Sequence, residues 1–464
     1  MQSEKGLQGS QLTSIGLAFA SVIAVSPTVA GATMVNLGIT AIVDDWGVSQ
    51  QSAQWVSSAY LAALAIGLPV SDWISKRFGL RRTVVTFLVL YFACSIWAAA
   101  ASGLTSLVVA RIFQGLFAGI IQPATLAALY LGFPMQRRGM AVGLFSFATA
   151  AAAGIAPWIG GMLVDIAGWR SMFFALAIPA AVAIPLVAIY YPPSKSDEPK
   201  TSLDWLGLGL LTMSIGLVFI GLHRFATGGG SIFSQLVLAI AVMAGLYLFW
   251  RREISIKDPL IDMRALVKTR MACTCSINFL LGTGLYGSSF VIPLYAQEIL
   301  GMTANDAGLL LLPGAIFLSI GTLISGKLLD RVSLSVMMSM GIAVFAASNI
   351  MLAYVSPTST FVAFAAIVVL GRLGLSAAHP AVHLAIMRDG SASVGQNAGL
   401  TNLTRQLGGS FGIVTLTLIA QWNDVSSNAP ITEAGYHRAF IGSALLLGAA
   451  VVAVAVYSRA KEET

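Results

Sequence analysis

The chain has 464 residues, of which 57% are hydrophobic and only 10% charged, against about 25% charged in a soluble domain. That composition excludes an ordinary soluble module and indicates an all-α polytopic membrane protein. The net charge of +7 is accounted for by membrane topology and anionic lipid heads, and it is not a nucleic-acid footprint.

The first fourteen residues are polar and carry Lys5. Apolar runs of about 20 residues, the length that crosses a bilayer, then follow one another. Span 1 covers 15–42 and is interrupted by Pro27 and several glycines; Asp44 and Asp45 close it. It is too long for a cleavable leader and lacks a small-residue cleavage pattern, so it is expected to remain as an anchor. Span 2 (53–73) delivers the chain to Lys76, Arg77, Arg81 and Arg82. Spans 3 (83–102) and 4 (104–129) come next, then Arg137 and Arg138, span 5 (139–163), and span 6 ending near 190. Spans 7 (205–223) and 8 (232–250) lie between two charged linkers. Spans 9 to 14 follow near 271–297, 305–326, 334–354, 359–386, 396–421 and 436–457. The expected organisation is a six-helix bundle over 1–191, two linker helices with their connections over 192–270, and a second six-helix bundle over 271–464.

Fourteen spans put both termini on one side. Of the 26 lysines and arginines, twenty fall on the terminal side, Arg170, Arg224 and Arg438 on the other, and Arg111, Arg372 and Arg405 within spans. The positive-inside bias therefore predicts cytoplasmic termini in a cell inner membrane. Cys94, Cys273 and Cys275 all lie in apolar segments, which supports neither a disulfide framework nor a metal site. No cofactor is expected. The absence of a nucleophile–base constellation, phosphate loop or metal cluster argues against an enzyme.

A repeat relates the two ends of the chain. The break after span 2 reads Asp72, Trp73, Ile74, Ser75, Lys76, Arg77, Phe78, Gly79, and the break after span 10 reads Gly326, Lys327, Leu328, Leu329, Asp330, Arg331. Both occupy the turn between the second and third helix of a six-helix set. Paired sets that rock about a central site are how secondary transporters alternate access.

The organising stretch runs from Leu107 to Gly161. An arginine within a span costs several kcal/mol, about 3 or more, unless it faces a cavity or a buried partner, so Arg111 marks a polar pathway. Gln114 and Gly115 share its helix, and the next span carries Ala156, Pro157, Gly160 and Gly161. Pro157 removes a helical hydrogen bond and marks a hinge. No Asp or Glu lies near the middle of a span, whereas Arg111, Arg372, Arg405 and His379 are deep. Guanidinium forks suit carboxylate, phosphate or sulfonate groups. His379 and His383 are four apart around Pro380 and share a face on a regular helix; their type suits proton exchange near neutrality. Two ligands alone are too few for a metal.

These residues resemble the major facilitator superfamily, in particular its fourteen-helix drug:proton antiporter branch. Leu107, Arg111, Gln114 and Gly115 match its helix 4 motif, and Pro157, Gly160, Gly161, Asp165, Trp169, Arg170 and Phe173 match the helix 5 motif of exporters. Thr33, Val35 and Asn36 match part of the helix 1 motif, and Trp55, Tyr60 and Pro69 match helix 2. Asn402, Arg405, Gln406, Gly408, Gly409 and Gly412 match helix 13. The resemblance implies a rocking-bundle exporter of small amphipathic compounds, with Arg111, Arg372 and Arg405 converging on the cavity and Asn36, Gln114, Trp55, Trp158, Tyr286 and Phe290 available to substrate. Proton coupling is assigned to His379, His383 and Arg111. Gating is assigned to Asp72, Lys76, Arg77, Gly79, Gly326, Asp330 and Arg331 with the Pro157, Gly160 and Gly161 hinge.

Three departures qualify the match. Gly31 stands where the branch usually has an aspartate, Asp72 where it has a glycine, and Lys76 where it has an aspartate. The first removes the usual proton carrier; the other two require a different charge interaction at the cytoplasmic turn. An organic-anion importer or facilitator and a nontransporting receptor or assembly partner therefore stand as alternatives, and nothing in the sequence argues for or against a periplasmic adaptor.

Overall fold

The computed structural model describes residues 2–134, 138–192, 203–226, 232–256, 259–260, 263–329, 331–389, 394–422 and 431–460. Apolar runs without water must satisfy their own backbone, and every long run here is helical. The first is not one rod. Helix α1 (Gln2–Thr33) contains Pro27 and gives way to a tight 3-10 turn, Met34–Gly38, whose five residues are all buried, before α2 (Ile39–Trp46) resumes. A short α3 (Gln50–Ala53) and α4 (Trp55–Phe78) form the second pass.

The remaining passes of the first set are α5 (Leu80–Ala99), α6 (Leu104–Gly132), α7 (Arg138–Ala167) and α8 (Arg170–Tyr190). Helices α9 (Trp205–Ala226) and α10 (Ile232–Ser255) follow. The second set is α11 (Thr269–Glu298), α12 (Ala304–Leu328), α13 (Leu334–Leu352), α14 (Phe361–Asp389), α15 (Val394–Ala420) and α16 (Glu433–Arg459). Among the described residues, ten helical passes are long and apolar enough to cross a membrane.

The same neighbour order occurs twice. In the first set α4 packs on α6, α5 on α6 and α8, and α1 on α7 and α8; in the second α12 packs on α14, α13 on α14 and α16, and α11 on α15 and α16. The sets meet along α4 against α15 and α7 against α12. Helices α9 and α10 pair with each other, and α9 touches α4 and α15 from outside, with Trp205 edge-on to Trp73. Asp204 before α9 holds Arg252 of α10 at 3.1 Å.

A second copy of the repeat becomes visible at the end remote from the termini. Gly47 (φ +60°) closes the first pass of one set and Gly301 (φ +64°) that of the other. Each is followed two residues later by a capping hydroxyl, Ser49 accepting from Ser52 N and Thr303 from Asp306 N. Asp44 and Glu298 both stand three residues before the glycine. At the opposite end, Gly79 (φ +83°) makes the turn between α4 and α5.

Candidate functional site

Arg111 is the largest fully buried side chain, with no exposed surface. Its guanidinium ties three helices together: Nε donates to Val56 O on α4 at 2.8 Å, Nη1 to Gln114 Oε1 on α6 at 2.6 Å, and Nη2 to Gly31 O on α1 at 2.6 Å. The face of the Tyr60 ring lies 4.0 Å from Cζ. Gln114 is itself held, donating to Ser95 Oγ at 2.8 Å. The cation is thus solvated by neutral oxygens and a ring, with no carboxylate bonded to it among the described residues.

The space beside Gly31, where the resemblance places an acidic side chain, is taken by two tyrosine hydroxyls that would have to shift to admit one. A Cβ on it would lie 2.8 Å from the Tyr91 hydroxyl and 3.3 Å from that of Tyr60. Those two hydroxyls donate instead to Pro27 O and Thr28 O, carbonyls of α1. Two tyrosines and one arginine thereby bond the backbone just before the 3-10 turn.

Arg372 occupies the corresponding fourth helix of the second set, and its Nη2 donates to Ser289 Oγ on α11 at 2.8 Å. Ser289 O also accepts from Asn36 Nδ2 at 3.3 Å, and Asn36 Oδ1 accepts from Ser57 Oγ at 2.6 Å. Asn36 and Arg372 therefore meet at one serine on the seam between the sets. Ser410 Oγ adds a further bond across the seam, donating to Ser58 O at 2.6 Å.

Arg405 stands on α15. Its Nη2 donates to Asn402 Oδ1 at 2.7 Å while its Nε is buried without a partner. The rings of His379 and His383 lie 5.3 Å apart, so α14 keeps both on one face despite Pro380, and each Nε2 is buried without a partner. The three arginines bond different partners: Arg111 braces the first set, Arg372 sits on the seam, and Arg405 bonds Asn402 within its own helix.

Among the aromatic candidates, Trp55 and Tyr286 are half-buried, and Tyr286 packs its ring against Gly409. Phe290 is fully enclosed in the core and presents no surface in this arrangement. Trp158 and Pro157 lie against Gly308, Gly161 against the backbone of Ala304, and Gly160 against Met34, so the small residues of α7 allow close approach to α12 and to the interrupted first pass. At the terminal end Asp72 pairs with Lys76 at 2.9 Å along the same helix, an exposed local pair, and Arg77 lies over Trp73. Arg331 closes a backbone turn onto Leu328 O, and a Cβ on Gly326 would meet open space. Asp330 lies outside the described residues.

Two further contacts cross the seam through acids at the ends of helices. Asp165 at the end of α7 accepts from Ala304 N at 3.1 Å and from Asn305 N at 2.9 Å, capping α12 of the other set. Glu298 takes Gln50 from the first set and Tyr436 from the second. The signal for these was the paired Gly-x-Ser/Thr turn, legible only when the two sets are aligned.

Two repeated six-helix sets meeting along a buried polar seam, with cations held inside apolar helices, define a membrane transporter. Residues 19–413 match the model of the Major Facilitator Superfamily, and the chain belongs to that family. It is 28% identical over 407 residues to a drug efflux pump, JefA, of Mycobacterium tuberculosis, covering 84% of this chain and 77% of the relative. It is 27% identical over 427 residues to the methylenomycin A resistance protein of Bacillus subtilis, covering 90% of each. The tetracenomycin C resistance and export protein of Streptomyces glaucescens is 28% identical over 391 residues, covering 83% of this chain and 72% of the relative. A crystal structure of a peptide transporter, POT, in complex with sulfate superimposes with a TM-score of 0.71 over 96% of both chains at 16% identity, a likeness of fold.

Proposed function

We propose that the chain is an exporter of small amphipathic organic compounds of the fourteen-helix drug:proton branch. Residues 1–191 and 271–464 act as the two rocking units, 192–270 as a peripheral addition, and both termini face the cytoplasm of an inner membrane. The observation that carries this reading is where the seam is closed. The bonds from Asn36, Gln50, Ser58 and Asp165 to the second set, with the approach of Gly161 to Ala304, all lie toward the end remote from the termini. A seam bonded at that end is what the inward-facing member of an alternating-access pair requires. Relatives named as an efflux pump and as resistance proteins support the outward direction.

An organic anion as the transported species is the second reading, favoured by one observation: among the described residues, no carboxylate is bonded to Arg111, Arg372 or Arg405. Transport into proteoliposomes under an imposed pH gradient, with a lipophilic cation dye and a lipophilic organic anion in parallel, separates the two. Gradient-driven cation movement supports drug:proton antiport. Anion movement lost on Arg405 replacement supports the second reading, and movement of neither would overturn both.

A further inference from the structure

Three segments distant in the chain meet at the remote end of the seam. Glu298 is the last residue of α11, Gln50 the first of α3, and Tyr436 lies in the first turn of α16. Gln50 Nε2 donates to Glu298 Oε1 and lies 3.3 Å from the Tyr436 hydroxyl, which donates to Glu298 Oε2 at 2.7 Å. Gln50 belongs to the first set and its two partners to the second, so this contact must break when the sets part.

Both partners turn hydrogen atoms toward the carboxylate. The Tyr436 hydroxyl, and Gln50 Oε1 once its amide turns, can instead accept from a protonated carboxyl, and the cluster offers no cage of oxygens for a metal cation. The other charged and titratable groups nearby are Asp44 on α2, Tyr295 on α11, Asp306 on α12, and Glu433, His437 and Arg438 on α16. His437 bonds Val355 O at 3.0 Å with Glu433 beside it, and Arg438 donates to Ala420 O. No cation is bonded to the partly buried Glu298 among the described residues, and drawing a carboxylate out of water without one disfavours its ionised form. Gln50 Oε1 is also buried without a donor. A proton on the carboxyl group removes the charge and supplies the donor this cluster lacks.

We propose that Glu298 is a proton-operated latch: the protonated carboxyl holds the remote end of the seam shut, and its ionisation, as water enters from that side, favours parting. The latch sets the pH at which the seam opens and does not depend on the direction of transport.

The test needs no substrate. Nitroxide labels at Ser102→Cys and Thr358→Cys, both exposed at the remote end on opposite sets, are introduced into protein whose three native cysteines are alanine. Their separation is measured in nanodiscs from about pH 8 to about pH 5. The short-distance population should grow as pH falls in this background, and Glu298→Gln should hold it high at both ends of the range. A background without a pH response would overturn the proposal, as would a full response in Glu298→Gln or one abolished only by His379→Gln with His383→Gln. Should Glu298→Gln not fold, Tyr436→Phe removes a donor to the ionised carboxylate and is expected to move the midpoint upward by about half a pH unit or more; an unmoved midpoint counts against it. A clear distance response in protein that moves no solute would leave the latch standing and remove the export reading instead.

Discussion

Arg111 Nη2 donates to the carbonyl oxygen of Gly31 at 2.6 Å, where the resemblance places an acidic side chain. The guanidinium therefore ties down α1 through its backbone and leaves a cation without a formal counter-charge. Removing it exposes three acceptors at once: Val56 O, Gln114 Oε1 and Gly31 O.

Arg111→Ala is accordingly expected to destabilise the protein by about 1 to 3 kcal/mol, because buried neutral acceptors lose their donor and the Tyr60 ring its cation. Arg111→Lys keeps the charge without the three-way fork and should recover only part of that loss. Thermal unfolding in detergent decides it; an Arg111→Ala protein as stable as the parent would mean that the brace is dispensable.

Restoring the acid is predicted to carry a steric cost. Gly31→Asp drives a Cβ to 2.8 Å from the Tyr91 hydroxyl and should cost about 1 to 3 kcal/mol. Combining it with Tyr91→Phe, which removes that oxygen, should cost less than the sum of the two single changes. A strictly additive double-variant cycle would show that the hydroxyl is not the obstacle.

The turn at Gly79 has φ +83° and ψ 147°, a region open essentially to glycine alone. Gly79→Ala should therefore cost about 1 to 3 kcal/mol. Gly326→Ala lies within α12, where a Cβ meets open space; it should raise stability by about 0.4 to 1 kcal/mol and serves as the contrasting control.

Asp165 caps α12 across the seam through two backbone amides. Hydrogen bonds to a charged group contribute about 1.5 to 3 kcal/mol, so Asp165→Asn should raise the population parted at the remote end by about tenfold or more. The readout is alkylation of Ser289→Cys, an almost fully buried position, by a membrane-impermeant maleimide. An unchanged labelling rate would remove Asp165 from the seal.

Much of the fold was legible in the chain. Apolar runs of crossing length, the break at Lys76 to Arg82 and the deep Arg111 follow from the cost of placing polar groups in lipid. That cost is paid locally, residue by residue, so the sequence displays it. The site was less legible because its bonds are made between segments. Nothing local to Asn36, Ser289 or Arg372 announces that they share one serine, and nothing near Gln50 points to residues 298 and 436. Phe290 reads as an available aromatic and is enclosed. The 3-10 turn at Met34–Gly38 has no local signature beyond Pro27 and scattered glycines, and the oxygens just before it are claimed by Tyr60, Tyr91 and Arg111 from other helices.

The seal at the remote end contains no lysine or arginine among its named partners: an amide and a phenol close on Glu298, backbone N–H groups on Asp165, a serine on a carbonyl. Pairs of opposite exposed charges weaken as electrolyte accumulates. In this closure the exposed Asp165 and the partly buried Glu298 are met by neutral donors, so these contacts hold no pair of opposite charges for salt to screen. The seal is therefore expected to hold at low and high ionic strength alike.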